Sequence, residues 1–338
     1  VLVLERGIWP TGASTKNAGF ACIGSPSELL DDLKQMPEAQ MLDLVKQRYQ
    51  GLLKLRQRLG DVAIDYQALG SYEMISEKEL YCLDHIEQLN RLLSPLLGGK
   101  AFSINKDKIA PFGFDQNHTK ALIINHFEGQ LDTGKMMANL LQYVQQLGVQ
   151  IINGAAVNSF EESGNKVTVR VQHQYLKEAI DFTAKHLFIC TNAFTKQLLP
   201  EVDITPGRGQ VLITEPIPNL KFKGIFHLDE GYYYFRNFEN RVIFGGGRNL
   251  DFETEASADF VYNDKILVDL KHKLQHLILP NTPFKIAMQW TGIMGFGKNK
   301  VPINKRLSKR ISLGAKLGGM GVAIGSRLGE VLVEEHFA

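Results

Sequence analysis

The sequence predicts a two-domain α/β protein in which a parallel core, built from separated stretches of the chain, is joined to an antiparallel sheet. Apolar strands alternate with helices near both ends of the chain, which is typical of a parallel core. Successive strand-like segments fill residues 207–250 instead, and these indicate a second, antiparallel sheet. The 338 residues match two domains of roughly 100–200 residues each, and the 44% share of apolar residues can supply their cores.

The first part of the predicted core combines a short strand with a long helix. Residues 1–5 are apolar up to Glu5 and are predicted to form a buried parallel strand. Residues 38–59 carry apolar side chains at helical spacing, and Gly60 is expected to end this helix. Further along, the pattern predicts a strand at 70–75, a helix at 77–93 and loops at 98–120.

A stronger strand–helix–strand unit follows. Residues 121–127 are strand-like, Asp132 or Thr133 can cap a helix at 134–147, and Gly148 can end that helix. Further strands are predicted at 149–153, 167–171 and 186–190, with a hairpin around 162–165.

The predicted antiparallel sheet precedes a return to the parallel core. Its strands are expected at 210–214, 232–236 and 241–244, and a helix is expected at 258–279. The tail then predicts a strand at 311–313, a glycine-rich turn and a helix at 322–336.

Composition excludes several classes of function. The net charge of +2 gives no bulk attraction for nucleic acid, and no apolar run reaches the roughly 18 residues of a membrane span. Three scattered cysteines favour a reducing, cytoplasmic compartment.

His272 and His276 stand four residues apart on a predicted helix, and we interpret them as a solvated face, so no metal site is expected.

Three segments could hold a nucleotide cofactor. Glu5 at a strand end can accept hydrogen bonds from ribose hydroxyls. The small residues at 12–19 allow the backbone to approach a flat ligand. The turn at 314–321 aims free N–H groups and the positive end of a helix dipole at one spot. Each segment also has a purely structural explanation, namely a solvent-facing acid, an ordinary loop and a tight turn.

The order of these motifs resembles one enzyme family. The chain is similar to the FAD-dependent D-amino-acid oxidase superfamily, on the glycine oxidase and sarcosine oxidase side. The stretches at 191–200 and 240–247 look most like its gamma-glutamylputrescine oxidase-like members. The segments that carry the resemblance span nearly the whole chain: 1–5, 12–19, 129–132, 190–193, 206–210, 231–236, 244–247, 290–294 and 314–321.

The resemblance implies a fold of two domains. A Rossmann-like, FAD-binding domain of the glutathione-reductase type would comprise residues 1–60, 121–206 and 286–338. An α+β substrate domain with an antiparallel sheet would comprise residues 61–120 and 207–285. In this family a Gly-x-Gly-x-x-Gly turn precedes the ribose-binding acid by about 30 residues. No such turn precedes Glu5, so we expect the natural protein to extend upstream of Val1 by this first βα unit.

The resemblance also implies FAD as a noncovalent cofactor, because no cysteine falls where some relatives attach flavin covalently. Glu5 would bind the adenosine ribose, with Arg6 beside the adenine and Val157 meeting it through its backbone. Thr191 and Asn192 would close the cofactor's path. The remaining implied contacts are Ala13, Ser14, Thr15, Lys16, Asn17, Ala18 and Gly19 at the pyrophosphate and flavin edge, and Gly318, Gly319, Met320, Gly321 and Val322 at the pyrimidine edge of the flavin.

The substrate side departs from the family pattern. Amino-acid oxidases of the family hold the substrate carboxylate with an arginine where this chain has Met294, and glycine oxidases carry another where Gly319 stands. Sarcosine oxidases place an oxygen-activating lysine at the position that aligns with Ile243. Methionine cannot form the bidentate clamp of an arginine. The candidates for substrate binding are therefore Lys16, Arg208, Tyr233, Arg236 and Arg248, beside Met294; for Tyr233 and Arg236 a structural role is an equal alternative.

The function implied by the resemblance is oxidation of a carbon–nitrogen bond in a small amine or amino acid. A hydride would pass from the carbon that bears the amine to flavin N5, and the imine product would hydrolyse. One alternative is a flavin dehydrogenase that acts on a 2-hydroxy acid or uses an acceptor other than oxygen. A second alternative is a flavin-free binding subunit.

Overall fold

The structure, a computed structural model, describes residues 1–172 and 178–338 of the chain, whose strands form five sheets. The strands are β1 (Leu2–Leu4), β2 (Phe20–Ala21), β3 (Ser71–Ile75), β4 (Phe102–Asn105), β5 (Ala121–Asn125), β6 (Gly129–Gln130), β7 (Gln150–Ile152), β8 (Val157–Ser163), β9 (Lys166–Val171), β10 (Ile180–Ala184), β11 (Leu187–Ile189), β12 (Thr205–Thr214), β13 (Ile225–Leu228), β14 (Tyr233–Phe238), β15 (Arg241–Gly246), β16 (Ile286–Phe296), β17 (Ile303–Arg306) and β18 (Ile311–Ala315). The helices are α1 (Ala13–Lys16), α2 (Pro26–Gln35), α3 (Glu38–Leu59), α4 (Tyr81–Asp84), α5 (Ile86–Leu97), α6 (Ile109–Phe112), α7 (Thr133–Gln146), α8 (Phe252–Glu255), α9 (Asp264–Lys273) and α10 (Gly321–Phe337).

Parallel pairs form the predicted core. Strand β1 pairs with β7 in parallel, and β11 pairs with β18 in parallel, with β17 antiparallel beside β18. Strands β8, β9 and β10 form a separate antiparallel sheet. In the sequence they lie between β7 and β11. The mixed α/β fold with inserted hairpins is therefore confirmed.

The largest sheet has eight strands in the order β16-β12-β15-β14-β13-β3-β5-β4. All of its neighbouring strands are antiparallel except β13 and β3. This confirms the antiparallel sheet expected around residues 207–250. Two of its strands, β5 and β16, come from segments that the predicted boundaries assign to the other domain, because sheet pairing cuts across that division. The domain division itself stays a prediction.

Two predicted helices have the expected boundaries. Helix α3 spans Glu38–Leu59 and ends at Gly60, whose φ of +83° suits glycine. Helix α7 is capped by Asp132, whose side chain accepts a hydrogen bond from the Lys135 backbone at 2.9 Å. Helix α10 crosses α3 closely, because a side chain on Gly51 would collide with the Ala323 carbonyl.

Other local predictions are wrong. The helix expected at 77–93 is a 3-10 turn followed by α4 and α5, and the loops expected at 98–120 contain β4 and α6. The helix expected at 258–279 begins only at Asp264, because the side chain of Asn263 caps it. Strand β1 is not buried: Leu2 and Val3 are 39% and 43% exposed because they line a cleft.

The core of the large sheet is aromatic. Phe226 and Phe235 stack at 4.6 Å between ring centroids, and Phe222 packs against both edge-on. This layer fixes one face of the sheet and leaves the other face to the cleft. Among the described residues, no helix combines the length and apolar character that crossing a membrane requires.

Candidate active-site cleft

One large cleft receives segments from both parts of the fold. Its volume is about 2810 Å³, well above the roughly 300–1,000 Å³ of an ordinary ligand pocket. One wall is formed by β1, the loop at 12–18, the turn at 317–321 and one face of α10, and the other by the large sheet. The cleft can therefore hold a ligand larger than one small molecule.

The glycine-rich turn before α10 faces the cleft with its backbone. A Cβ added to Gly318 or Gly319 would meet no atom within 4 Å, so the backbone there is open to a ligand. Asn192 holds the turn in place, because its Oδ1 accepts hydrogen bonds from the backbone of Lys316 at 3.0 Å and Leu317 at 3.3 Å. The N-terminus of α10, a helix of 17 residues, thus directs its positive dipole end at the cleft.

The loop at 12–19 is shaped by its own side chains. Asn17 donates to the carbonyls of Ala13 and Ser14 at 3.1 and 3.0 Å and accepts from the Gly19 backbone at 2.9 Å. The indole of Trp290 donates to the Lys16 carbonyl at 2.9 Å. The loop is therefore fixed to strand β16 of the large sheet, where the two parts of the fold meet.

Glu5 and Arg6 lie at the end of the cleft where β1 ends. Glu5 accepts a hydrogen bond from the Gly7 backbone at 2.8 Å through Oε1. Arg6 lies over the Phe194 ring at 3.7 Å from its centroid. Both side chains line the cleft, so the geometry allows the ribose and adenine contacts that the sequence implied.

Most of the cofactor candidates line this cleft. Thr15 does not, because its hydroxyl donates to the Pro10 carbonyl at 2.9 Å. Gly19 does not either, because it packs against the Leu131 carbonyl and Arg236. The candidates that line the cleft are Glu5, Arg6, Ala13, Ser14, Lys16, Asn17, Ala18, Val157, Thr191, Asn192, Gly318, Gly319, Met320, Gly321 and Val322.

Two arginines proposed for substrate binding have structural partners instead. Arg208 is buried and forms a bidentate ion pair with Glu255, with N–O distances of 2.9 and 2.7 Å. Arg236 is buried beneath the loop at 12–19 and donates to the Ala18 carbonyl. Burial lowers the pKa of Arg236 to about 10. Neither side chain lines the cleft, so we no longer expect either to bind substrate.

Tyr233 also faces away from the cleft. Its hydroxyl donates to Asp269 at 2.6 Å, and its ring lies in the aromatic core. Because side chains alternate along a strand, its neighbours Tyr232 and Tyr234 line the cleft instead. The alternation itself was visible in the sequence, but the face that points to the cleft was not.

The sheet wall contains a histidine that sequence reasoning missed. His227 is the cross-strand partner of Tyr234, and both rings pack edge-on against Phe20 at 5.3 and 5.4 Å. His227 is 6% exposed, and its Nε2 has no hydrogen-bond partner among the described residues. Burial lowers the pKa of His227 and raises that of Tyr234 to about 12. At neutral pH this wall therefore presents a neutral imidazole and a neutral phenol.

The other substrate candidates do line the cleft. Lys16, Arg248 and Met294 all contribute to its surface. Ile243, for which the resemblance implied the position of the oxygen-activating lysine, is buried in a small apolar cluster with Val211 and Ala18.

A dinucleotide-binding oxidoreductase fold accounts for this arrangement, in which a helix N-terminus and a glycine turn face a sheet-walled substrate space. The sequence model of the FAD dependent oxidoreductase family (DAO) matches residues 1–335. The chain therefore belongs to this family of FAD-dependent oxidoreductases. A search of curated proteins gives no match.

Solved structures share the fold. L-proline dehydrogenase from P. horikoshii superposes with a TM-score of 0.77 at 15% identity, covering 98% of this chain and 91% of its own. Glycine oxidase from Geobacillus kaustophilus gives 0.74 at 18%, covering 99% and 87%. Iminodiacetate oxidase (IdaA) from Chelativorans sp. BNC1 gives 0.75 at 18%, covering 98% and 93%. At these identities the likeness concerns the fold.

The residues of the cleft fit FAD. The open backbone at Gly318 and Gly319 and the same openness at Gly12, where an added Cβ would meet nothing within 4 Å, leave room for a flat ligand. The N-terminus of α10 suits the negative charge that reduced flavin carries near N1 and O2. Glu5 can accept from ribose hydroxyls.

Proposed function

We propose that this protein oxidises the carbon–nitrogen bond of a small amine or amino acid with noncovalently bound FAD, giving an imine that hydrolyses. The observation that carries the proposal is the pairing of two walls in one cleft. One wall holds the glycine turn and the N-terminus of α10, and the other holds the neutral His227 beside Tyr234. A substrate between the walls would lie against the cofactor on one side and these polar groups on the other.

FAD, when bound, supplies an acceptor for the hydride of the substrate. The backbone N–H groups at 318–321 would stabilise the negative charge that this transfer creates. Asn192 and Trp290 hold the two backbone segments that face the cofactor, so they position it. Gly318 and Gly319 keep the approach free of side chains.

His227 would take the proton of a substrate ammonium group. An amine must be neutral to release a hydride from its neighbouring carbon, whereas free amines are mostly protonated at pH 7. His227 is neutral because burial lowers its pKa, although the charge of Glu28 acts in the opposite direction. His227 lines the cleft, and a neutral imidazole there can accept this proton.

A dehydrogenase that uses an acceptor other than oxygen is the second candidate. The buried Ile243 favours it, because this position offers no lysine to activate oxygen. The printed name of one structural relative, a proline dehydrogenase, is compatible with this candidate.

Anaerobic reduction of the purified flavoprotein tests the proposal. We expect a yellow protein that releases FAD on acid precipitation and whose absorbance near 450 nm bleaches with an amine or amino acid. A 2-hydroxy acid that bleaches the flavin when no amine does would contradict the proposal. Hydrogen peroxide formed on readmission of air would identify an oxidase, and its absence despite bleaching would identify a dehydrogenase.

A further inference from the structure

Arg248 lies on the sheet wall of the cleft, two residues after the end of strand β15. Its guanidinium is held between two aromatic rings, at 4.0 Å from the centroid of Phe296 and 4.8 Å from that of Phe252. The side chain is half-buried, and stacking between rings restricts its orientation. The charge of Arg248 is therefore fixed in place at the edge of the cleft.

No acidic side chain neutralises this charge among the residues that the structure describes. Glu255 is the nearby acid whose charge acts on Arg248, but its Oε2 binds Arg208 at 2.9 Å. Its Oε1 binds both Arg208 at 2.7 Å and Asn263 at 2.9 Å. Because Arg208 already neutralises Glu255, Arg248 keeps an uncompensated positive charge, and burial lowers its pKa accordingly.

Two glycines on β12 leave room for the Arg248 guanidinium and the Tyr234 hydroxyl to lie near each other. An ideal Cβ on Gly207 would lie 3.4 Å from Nη1 of Arg248. An ideal Cβ on Gly209 would lie 2.9 Å from Cε of Met294 and 4.0 Å from the hydroxyl of Tyr234. Two residues along a strand span roughly 7 Å. The guanidinium and the Tyr234 hydroxyl therefore face one region of small-molecule size, beside Met294.

Met294 lies beside the same region. Met294 is the cross-strand partner of Gly207, and Arg248 reaches the space above Gly207 from the next loop. A guanidinium supplied from position 248 can thus serve the space that an arginine at 294 would serve.

We infer that Arg248 determines substrate specificity by binding the substrate carboxylate, with the Tyr234 hydroxyl as a second donor. This inference rests on the proposed function and narrows it to substrates that carry a free carboxylate. A simple amine lacks the anion that the stacked guanidinium requires. Three other arginines also line the cleft, namely Arg6, Arg48 and Arg58. Arg6 lies over the Phe194 ring, and Nη1 of Arg48 donates to the Ile23 carbonyl at 2.9 Å.

Matched probe pairs test this inference on the full-length holoenzyme. The pairs are N-methylglycine with dimethylamine, proline with pyrrolidine, and alanine with ethylamine. We expect the acid of at least one pair to reduce the flavin anaerobically at least 100-fold more efficiently than its amine. Arg248→Met should lower the apparent affinity for that acid by about 10- to 100-fold, as expected for loss of a charged hydrogen bond. Arg248→Lys should lower it less.

Two controls separate this effect from damage to the fold. Arg241→Lys changes an arginine outside the cleft that donates to the Thr214 carbonyl at 3.0 Å, and it should leave the acid preference unchanged. FAD content and the flavin spectrum of Arg248→Lys should match the parent protein. Equal reduction by acid and amine in the parent protein would overturn the inference, and so would a loss of acid preference in Arg48→Met but not in Arg248→Met.

Binding of propionate distinguishes failure of this inference from failure of the proposed function. Propionate carries the carboxylate without an amine, so it cannot be oxidised at a carbon–nitrogen bond. We expect it to perturb the flavin spectrum of the parent protein and to bind Arg248→Met at least tenfold more weakly. If no probe reduces the flavin, the proposed function fails, and the propionate titration alone then supports or overturns the role of Arg248.

Discussion

The indole Nε1 of Trp290 donates a hydrogen bond to the carbonyl oxygen of Lys16 at 2.9 Å. This contact joins strand β16 of the large sheet to the loop at 12–19, which lines the cleft. Gly292 makes the approach possible, because an ideal Cβ there would lie only 3.0 Å from Cβ of Lys16. Trp290 and Gly292 therefore position the loop at 12–19 against the large sheet.

Loss of the Trp290 donor should weaken FAD binding. We expect Trp290→Phe to keep most of the packing and to lose one hydrogen bond worth about 1 kcal/mol, which raises the Kd for FAD roughly fivefold. Titration of the apoprotein with FAD, followed by flavin fluorescence, measures this change. Trp9→Phe is the matched control, because Trp9 is 74% exposed. Equal effects of the two substitutions would contradict the positioning role.

The glycine turn before α10 should depend on the Asn192 side chain. Its Oδ1 accepts from the backbone of Lys316 and Leu317, and Asn192 itself has a φ of +44°. Asn192→Gly keeps this backbone conformation and removes the acceptor. We expect a loss of stability of about 1–3 kcal/mol, measured by urea unfolding, with a lower FAD content. A glycine variant as stable as the parent protein would show that the two hydrogen bonds do not hold the turn.

The ion pair of Arg208 and Glu255 should stabilise the fold only as a pair. Both side chains are at most 2% exposed, so removing one leaves a buried charge. We expect Arg208→Met to lower the free energy of unfolding by about 3–5 kcal/mol. The double variant Arg208→Met/Glu255→Met should recover most of this loss, because neither charge remains. Chemical denaturation of the two variants measures the difference, and a double variant less stable than Arg208→Met would contradict it.

The sequence predicts the elements of the fold better than the face that each element presents. Helix α3 and its end at Gly60 follow from local periodicity and from the conformational freedom of glycine. Tyr233 and Arg208 could not be placed in the same way, because their orientation depends on partners distant in sequence. Asp269 lies 36 residues from Tyr233, and Glu255 lies 47 residues from Arg208.

The candidate site was likewise only partly visible. Its glycines at 318 and 319 stand out because a strand, a turn and a helix surround them. His227 has no such local signal: it becomes a candidate only because β13 pairs with β14 and turns its imidazole toward Phe20. In the sequence, Arg248 was one of several basic candidates. The structure separates it from Arg208, which pairs with Glu255, and from Arg236, which donates to the Ala18 carbonyl.

Two buried carboxyls should make the protein less stable at alkaline pH. Burial raises the pKa of Glu73 and of Glu128 to about 7, above the ordinary value of 4.5 for Glu. Between these values the folded chain keeps protons that the unfolded chain loses. Their contribution to stability is therefore fully present below about pH 4.5 and is lost as the pH rises through 7.

Urea unfolding at pH 5 and pH 8 measures this effect. We expect a decrease on the order of 3 kcal/mol for each carboxyl, and Glu73→Gln or Glu128→Gln should flatten the profile. Glu201→Gln, at an exposed position, should not. Stability that rises from pH 5 to pH 8 in the parent protein would contradict this prediction.

His227 should set the acid limb of flavin reduction. Its imidazole is neutral because burial lowers its pKa below 6.5, so it can accept the proton of a bound ammonium group. We expect the parent protein to reach its full reduction rate near pH 6.5 to 7. Without an internal acceptor, His227→Phe should need a markedly higher pH, toward the ordinary pKa of an alkylamine (about 10.4 for a lysine side chain), and should be about 100-fold slower at pH 7. Anaerobic stopped-flow measurements from pH 5.5 to 9 with a saturating amine or amino acid give both profiles.

His126→Phe, at an exposed position, serves as the control. A profile that His227→Phe leaves unshifted would exclude His227 as the proton acceptor, whereas a shift to higher pH with an unchanged flavin spectrum would assign the proton to His227.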